Sequence, residues 1–319
     1  MKRKSLIISV VLSALVVAIV VSISRGARAV EVTINVKDLP EHGLHIIGPS
    51  DPSFDGMLAK VTRNEPAAAV EALRPYSFFL RNAGGKHVVA YKIRWECTKP
   101  DGTVIYKDSS KSSAWIFTDE SEADLERALL RDDSIIKPNT TWFFSLGADP
   151  RELDDPSGSV EQGSWSAVIK SENTQGQAAP PDKTKALRFV RAELGTYTSI
   201  TIMLDGVFFE DGTFAGPDAT GFFDAVKSEV DAEFDLLAGL GKAAPQAKSG
   251  DEIFKYIEDD ADGPDVDLGP NSTPADYYRF HKKRFSQELV AQKTSLGSAR
   301  TIKQALKRLE KPWPKLRKQ

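Results

Sequence analysis

Four carboxylates, Asp205, Glu210, Asp211 and Asp218, crowd one short and otherwise apolar stretch, ITIMLDGVFFEDGTFAGPD. Two carboxyl groups flanking a scissile bond can act as general acid and base, as in glycoside hydrolysis. The same residue types also suit turns and helix starts, where a short carboxylate accepts backbone N–H groups. Asp205-Gly206 and Asp211-Gly212 read as hairpin turns, and Asp218 stands ahead of a helical pattern as its cap. Backbone geometry is therefore the favoured use, and a hydrolytic pair the alternative.

The four histidines are scattered. His42 and His45 lie beside Glu41 in an H-x-x-H spacing, but Pro40 and Gly43 break any helix that would converge them on a metal, so a surface loop is expected. His87 sits by a turn. His281 lies on an apolar helical stripe and reads as a packed or boundary histidine. The run Glu258 to Gly269, EDDADGPDVDLG, resembles a calcium loop, yet Gly269 stands where a bidentate Glu is needed, so it reads as a solvated acidic loop. Cys97 is the sole cysteine, which excludes an internal disulfide. It alternates with Trp95 and Ile93 and reads as a small buried hydrophobe, with a reactive nucleophile or an intermolecular bridge as the alternative. No G-x-S-x-G, H-E-x-x-H, Walker A loop or Rossmann fingerprint occurs. No catalytic, cofactor-binding or metal-ligating residue is singled out, and no cofactor is implied.

The elements that must position these groups change character along the chain. The central stretch is Tyr76 to Cys97, read as two strands joined by a tight turn at Asn82-Ala83-Gly84-Gly85. Val89, Tyr91, Ile93, Trp95 and Cys97 alternate with Lys92, Arg94 and Glu96, the period of a sheet with one dry face. Further strands are expected at 31–36, 44–47, 57–62, 103–106, 113–118, 140–146, 164–170, 197–204 and 207–209, with a helix at 120–130 and mobile loops within 149–186. From Asp218 the period becomes helical. One stripe is Phe223, Val226, Val230, Phe234 and Leu237, ended by Gly239 and Gly241. A second helix is expected at 251–258. A third opens at Thr273-Pro274 with Tyr278, His281, Phe285 and Leu289 on its stripe. A last one carries Ile302, Ala305, Leu306 and Leu309 up to Pro312-Trp313-Pro314.

Before all of these, Lys2, Arg3 and Lys4 precede the uncharged run Ser5 to Ser24, and Gly26-Ala27-Arg28-Ala29 offers a small-residue cleavage site. The run is long enough to span a bilayer. The expectation is a signal peptide cut after Ala29 or a signal anchor retained through residues 5–24. Leading basic residues put the bulk of the chain outside in either case. The lack of a Cys after the run excludes a lipoprotein.

Charge is uneven in the second half. Acidic residues dominate from Asp205 to Asp267, whereas thirteen basic residues face three acidic ones from Pro270 onward. Basic helices lying beside acidic ones would compensate within the fold. An anionic partner, such as an envelope surface met by the basic C-terminal segment with Trp313 at a bilayer interface, is the functional alternative. No nucleic acid is expected.

The segments FFLRN–AGGKHVVAYKIRW, IIKPNTTWFFSL and ITIMLDGVFFEDGTFAGPD together resemble uncharacterised bacterial exported proteins in which an immunoglobulin-like sandwich precedes a helical tail. That resemblance implies a fold and no activity. The expected fold is an antiparallel, immunoglobulin-like β-sandwich over residues 30–215 followed by an α-helical part over 216–319, with residues 1–29 as signal peptide or signal/transmembrane helix. The expected role is a non-enzymatic, envelope-associated binding or structural protein. An extracytoplasmic hydrolase or a membrane-surface adaptor are the alternatives.

Overall fold

The computed structural model describes residues 32–63, 67–112, 135–145, 151–152, 196–269, 272–310, 313 and 315–319. The apolar run at 5–24, the strands expected at 113–118 and 164–170, the helix expected at 120–130 and most of the loops expected within 149–186 lie outside the described residues. Among the described residues, no helix is long and apolar enough to cross a membrane.

The chain forms two mostly antiparallel sheets and a C-terminal set of helices. The larger sheet holds β1 (Thr33–Lys37), β4 (Val88–Thr98), β5 (Val104–Ser112), β8 (Ser199–Phe209), β9 (Thr213–Ala215) and β10 (Arg317–Lys318), and the smaller holds β2 (Leu44–Ile47), β3 (Ser77–Asn82), β6 (Thr141–Ser145) and β7 (Arg151–Glu152). β1 on β8 and β10 on β9 are the parallel pairs.

One core draws from both sheets. Tyr91, Ile93, Trp95 and Cys97 of β4 meet Phe78 and Leu80 of β3 and Trp142 and Phe144 of β6. Tyr91 stands edge-on to Phe144 with ring centroids 5.3 Å apart, and Phe144 stacks on Phe78 at 5.1 Å. The alternation expected along β4 is therefore present, with one exception. A register shift between Val88 and Ala90 turns Val89 to the opposite face, against Phe208.

The expected hairpin at Asn82–Gly85 is corrected. β3 and β4 belong to different sheets, and residues 83–87 carry the chain across the core between them. The physical reason lies in β3, which is buried on both faces. Phe78 and Leu80 enter the shared core while Phe79 packs with Phe143 and Phe54 on the far side. A strand dry on both faces finds its partners in β2 and β6 rather than in the next segment. Asn82 fixes the crossing: its buried amide donates to the carbonyls of Lys86 (2.9 Å) and Ile136 (3.2 Å), and its Oδ1 accepts the Gly84 N–H at 3.1 Å.

The strand expected at 57–62 is a helix, α1 (Phe54–Val61). Phe54, Met57, Leu58 and Val61 repeat at steps of three and four and cover the outer face of β3. Reading from Met57 missed Phe54, the first residue of the stripe. A short helix α2 (Ala67–Leu73) follows.

The C-terminal helices are α3 (Phe222–Ala243), α4 (Gly250–Ala261), α5 (Pro274–Leu296) and α6 (Ser298–Leu309). Thr273 and Asp276 cap α5 reciprocally, with Pro274 at its first position as expected. Gly239 and Gly241 do not end α3, which runs through both to Ala243. Gly241 instead lets α6 approach, since a Cβ there would sit 3.2 Å from Leu309. The helical core joins Leu236, Leu237, Leu240, Ile253, Phe254, Ile257, Leu289 and Ile302.

Trp95 is the test of the shared core. It is fully buried and its Nε1 donates to the Tyr76 carbonyl at 3.0 Å. Trp95→Ala should destabilise the protein by about 3–5 kcal/mol, read as a drop in the urea midpoint. A change below about 1 kcal/mol would place the core elsewhere.

Candidate functional site

β8 does not turn at Asp205-Gly206, which corrects the expected hairpin there. The strand continues from Ser199 to Phe209 with a bulge, because Lys92 pairs with Gly206 and Ile93 with Leu204, leaving Asp205 without an opposite number. The bulge reverses the parity of the strand. Ile200, Ile202 and Leu204 point into the shared core before it, and Val207 and Phe209 after it. Phe208 is thereby sent to the other face, onto Phe214, Phe222 and Phe223 of the segment entering α3. The edge partner of β8 changes at the same place, from β1 along Ser199–Met203 to β9 along Val207–Phe208.

Asp205 is fully buried. A carboxylate without water must be met by donors. Its Oδ1 accepts the Ala219 N–H at 2.9 Å, and its Oδ2 accepts the Thr220 N–H at 3.0 Å and the Thr220 hydroxyl at 2.5 Å. Its own carbonyl accepts the Asp218 N–H at 2.8 Å. Residues 218–220 are thus wrapped around one side chain. Gly216 completes the wrap at φ +123°, where a Cβ would lie 2.7 Å from the Asp205 carbonyl oxygen.

Asp218 does not stand at the N-cap of α3, which is Gly221, but three residues before it, and still reaches the first turn. Its Oδ1 accepts the Phe223 N–H at 3.0 Å, in the first turn of α3. Its Oδ2 lies 2.7 Å from Lys318 Nζ in β10. The hydrogen bond with Asp218 holds the Lys318 ammonium above the ordinary lysine range despite some desolvation. The other two carboxylates sit at the far end of β8. Glu210 Oε2 is 2.6 Å from His87 Nδ1, and Asp211 Oδ2 is 2.7 Å from Lys86 Nζ. Asp211 also caps the turn into β9 through the Thr213 N–H at 3.1 Å, and Gly212 adopts φ +76° as the Asp-Gly signal predicts. Burial raises the Asp211 pKa, but the Lys86 and Thr213 hydrogen bonds outweigh it and leave a net lowering. The four carboxylates have separate partners and do not share a bound position. As an arrangement they fasten strand to loop, loop to helix and tail to loop.

The remaining candidates take similar places. His42 lies 3.7 Å from Glu41, and His45 lies 3.5 Å from Asp38, so the H-x-x-H pair does not converge. The expected acidic loop begins as helix: Glu258 and Asp260 lie in the last turn of α4 and pair with Lys293 and Lys282 of α5, and Asp265, beyond the helix, pairs with Lys283. No group of three metal-ligating side chains occurs among the described residues. Cys97 is buried, as the alternation predicts. Charge compensation between acidic and basic helices is realised: Glu229 of α3 accepts from Arg284 at 2.8 Å, and the buried Glu233 pairs with Arg308 of α6.

The C-terminal tail departs most from its expected use. Trp313 packs against both helical and sheet clusters, edge-on to Phe234 with ring centroids 5.1 Å apart. Leu316 joins the Phe208–Phe223 cluster, and Arg317 and Lys318 add a strand to β9. Trp313, the residue of the alternative bilayer-interface reading, is thus a partly buried packing residue, and the tail clasps the helices to the sheet. Sequence reasoning missed this because KPWPKLRKQ lacks alternation; the signal it did hold was a large aromatic and a Leu at a spacing of three.

His281 is mostly buried beside Glu229 (3.8 Å), Phe280 and Phe285. Burial lowers its pKa below the ordinary imidazole value; Glu229 opposes this and Arg284 adds to it.

Two outcomes follow from these contacts. Asp205→Ala removes the buried acceptor of three part-buried hydrogen bonds, so it should destabilise by about 2 kcal/mol or more, whereas Lys318→Ala takes a half-exposed ammonium from a carboxylate that keeps the Phe223 N–H and should cost less; urea unfolding of both measures the contrast. A histidine with a depressed native pKa favours folding above its unfolded pKa of about 6.5 and loses that contribution as pH falls through the native value. Urea midpoints at pH values spanning this window should fall on acidification in the native chain and fall less in His281→Phe. No protein-family model matches the chain, and neither a curated protein nor a solved structure is significantly similar to it.

Proposed function

We propose that the chain is an exported, envelope-associated binding or structural protein that performs no catalysis of its own. One observation carries this reading: the carboxylates that offered the best catalytic chemistry, Asp205, Glu210, Asp211 and Asp218, are each engaged in fastening the fold. A hydrolase would need two of them facing one bond. Their separate partners speak for a scaffold.

The two sheets are read as an immunoglobulin-like sandwich. A single core fed by both sheets supports this, as does the crossing at residues 83–87 and the parallel placement of β1 beside the long β8. The likeness to exported bacterial proteins belongs to the same reading. The basic start, the apolar run from Ser5 to Ser24 and the Ala27-Arg28-Ala29 site support export. They allow cleavage after Ala29 or retention as an anchor.

N-terminal sequencing of the protein recovered from fractionated cells tests the proposal. The expected result is envelope or extracellular material beginning at Val30, or membrane-bound material retaining residues 1–29 with the remainder digestible by external protease. Intact chain in the cytosol, protected from external protease, would reject it.

A further inference from the structure

We propose that the outward face of α6 is a docking surface for an anionic phospholipid bilayer. The inference rests on the exported, membrane-proximal reading above and names the partner of one surface.

The observation is a contrast between two adjacent basic helices. All five basic residues of α5 are engaged within the fold: Arg279 with Asp276, Lys282 with Asp260, Lys283 with Asp265, Arg284 with Glu229 and Lys293 with Glu258. On α6 only Arg308 is ion-paired among the described residues, with Glu233. Arg300, Lys303 and Lys307 are exposed and fall at steps of three and four, which sets them on one side of the helix. Thr301, Ile302 and Ala305 are buried on the other. The end of α3 lies beside this helix, and exposed Lys242 follows Gly241 there.

The apolar face of α6 is already used in the helical core, and Trp313, partly buried, is held edge-on against Phe234 of α3. What α6 offers outward is charge without an inserting hydrophobe. Such a face binds an anionic sheet of head groups peripherally, each base raising the partition coefficient about fivefold, and three together about a hundredfold. That is too weak to hold a free protein firmly, but adequate to orient one already tethered. Retained as an anchor, the apolar run at residues 5–24 would provide such a tether and bring the chain to a bilayer rather than to a diffusing polyanion.

The test uses the full chain in lipid nanodiscs. Cys97 is fully buried, so Gln304→Cys, on the exposed side of α6, supplies the one accessible thiol among the described residues. Its labelling should be severalfold slower in discs containing phosphatidylglycerol than in discs of phosphatidylcholine alone. The difference should vanish in about 0.5 M salt and in the variant that also carries R300E, K303E and K307E, whose urea midpoint is measured to show that it folds. Equal labelling in the two lipids, or a difference that survives the charge reversals, overturns the proposal. So does a soluble polyanion that slows labelling in phosphatidylcholine discs as much as phosphatidylglycerol does. Loss of residues 1–29 in cells would remove the tether while leaving this measurement of the α6 face intact, so the two failures are distinguishable.

Discussion

A carboxylate removed from water in the middle of a long strand sets the terms for much of this fold. Asp205 has no strand partner of its own and no solvent. Its oxygens must be met by donors, and an unmet buried charge would cost far more than the loop entropy needed to bring them. The donors come from residues 219 and 220, so the chain leaving β9 has to fold back over the bulge before α3 can begin. Gly206 and Gly216 make that approach possible. A Cβ on Gly206 would collide with the Phe214 ring, and one on Gly216 would lie 2.9 Å from the Gly206 Cα. The same bulge flips side-chain parity, which gives β8 one set of residues for the shared core and Phe208 for the helices. One extra residue in a strand thereby decides where the helices dock.

The helices are held by a second logic. Apolar stripes give the gross association, and charge selects the neighbours. Exposed pairs such as Arg279–Asp276 add little to stability. Glu233 is different, because it is nearly inaccessible and faces Arg308 across α3 and α6. Breaking such a pair leaves an uncompensated charge, so it penalises a slipped register even if its net contribution is small. Glu229 plays the corresponding part between α3, α5 and the end of β5, where its Oε2 accepts from Ser112 at 3.2 Å. The tail then returns to the sheet, with Trp313 and Leu316 in the packing and Lys318 over the Phe223 ring at 4.9 Å.

Local signals in the sequence were dependable where a single element decided the outcome. The alternation of Tyr91, Ile93, Trp95 and Cys97, the Asp211-Gly212 turn, the Thr273-Pro274 start and the helical stripes all reflect short-range geometry. Reading failed where a distant partner overrode a local motif. Asn82 to Gly85 has hairpin composition, yet β3 is buried on both faces and pairs elsewhere. Asp205-Gly206 has turn composition, yet β4 extends alongside both halves of β8 and holds it straight. Residues 57–62 read as a strand when taken alone, but the step of four from Phe54 to Leu58 meets the outer face of β3. The candidate carboxylates were visible as residues; their partners at 87, 86 and 318 were not, because nothing in a linear spacing brings the turn before β4 to the end of β8, or the tail to Asp218 a hundred residues earlier.

The same distinction separates the two charged regions that looked functional. Carboxylates gathered in sequence at the junction between sheet and helices are dispersed in space, each drawn to a donor that the fold needs satisfied. Basic residues gathered in sequence toward the C-terminus divide into two groups. Those on α5 face an acidic neighbour and neutralise it. Those on the outer side of α6, Arg300, Lys303 and Lys307, make no ion pair among the described residues, and the buried Glu233 is matched by Arg308. Internal compensation is the ordinary fate of helix charge, and its completeness on α5 is what gives the α6 face its meaning. A fold that pairs one basic helix side chain by side chain, and leaves the next facing outward at regular steps, keeps that second field available for an anionic surface outside itself.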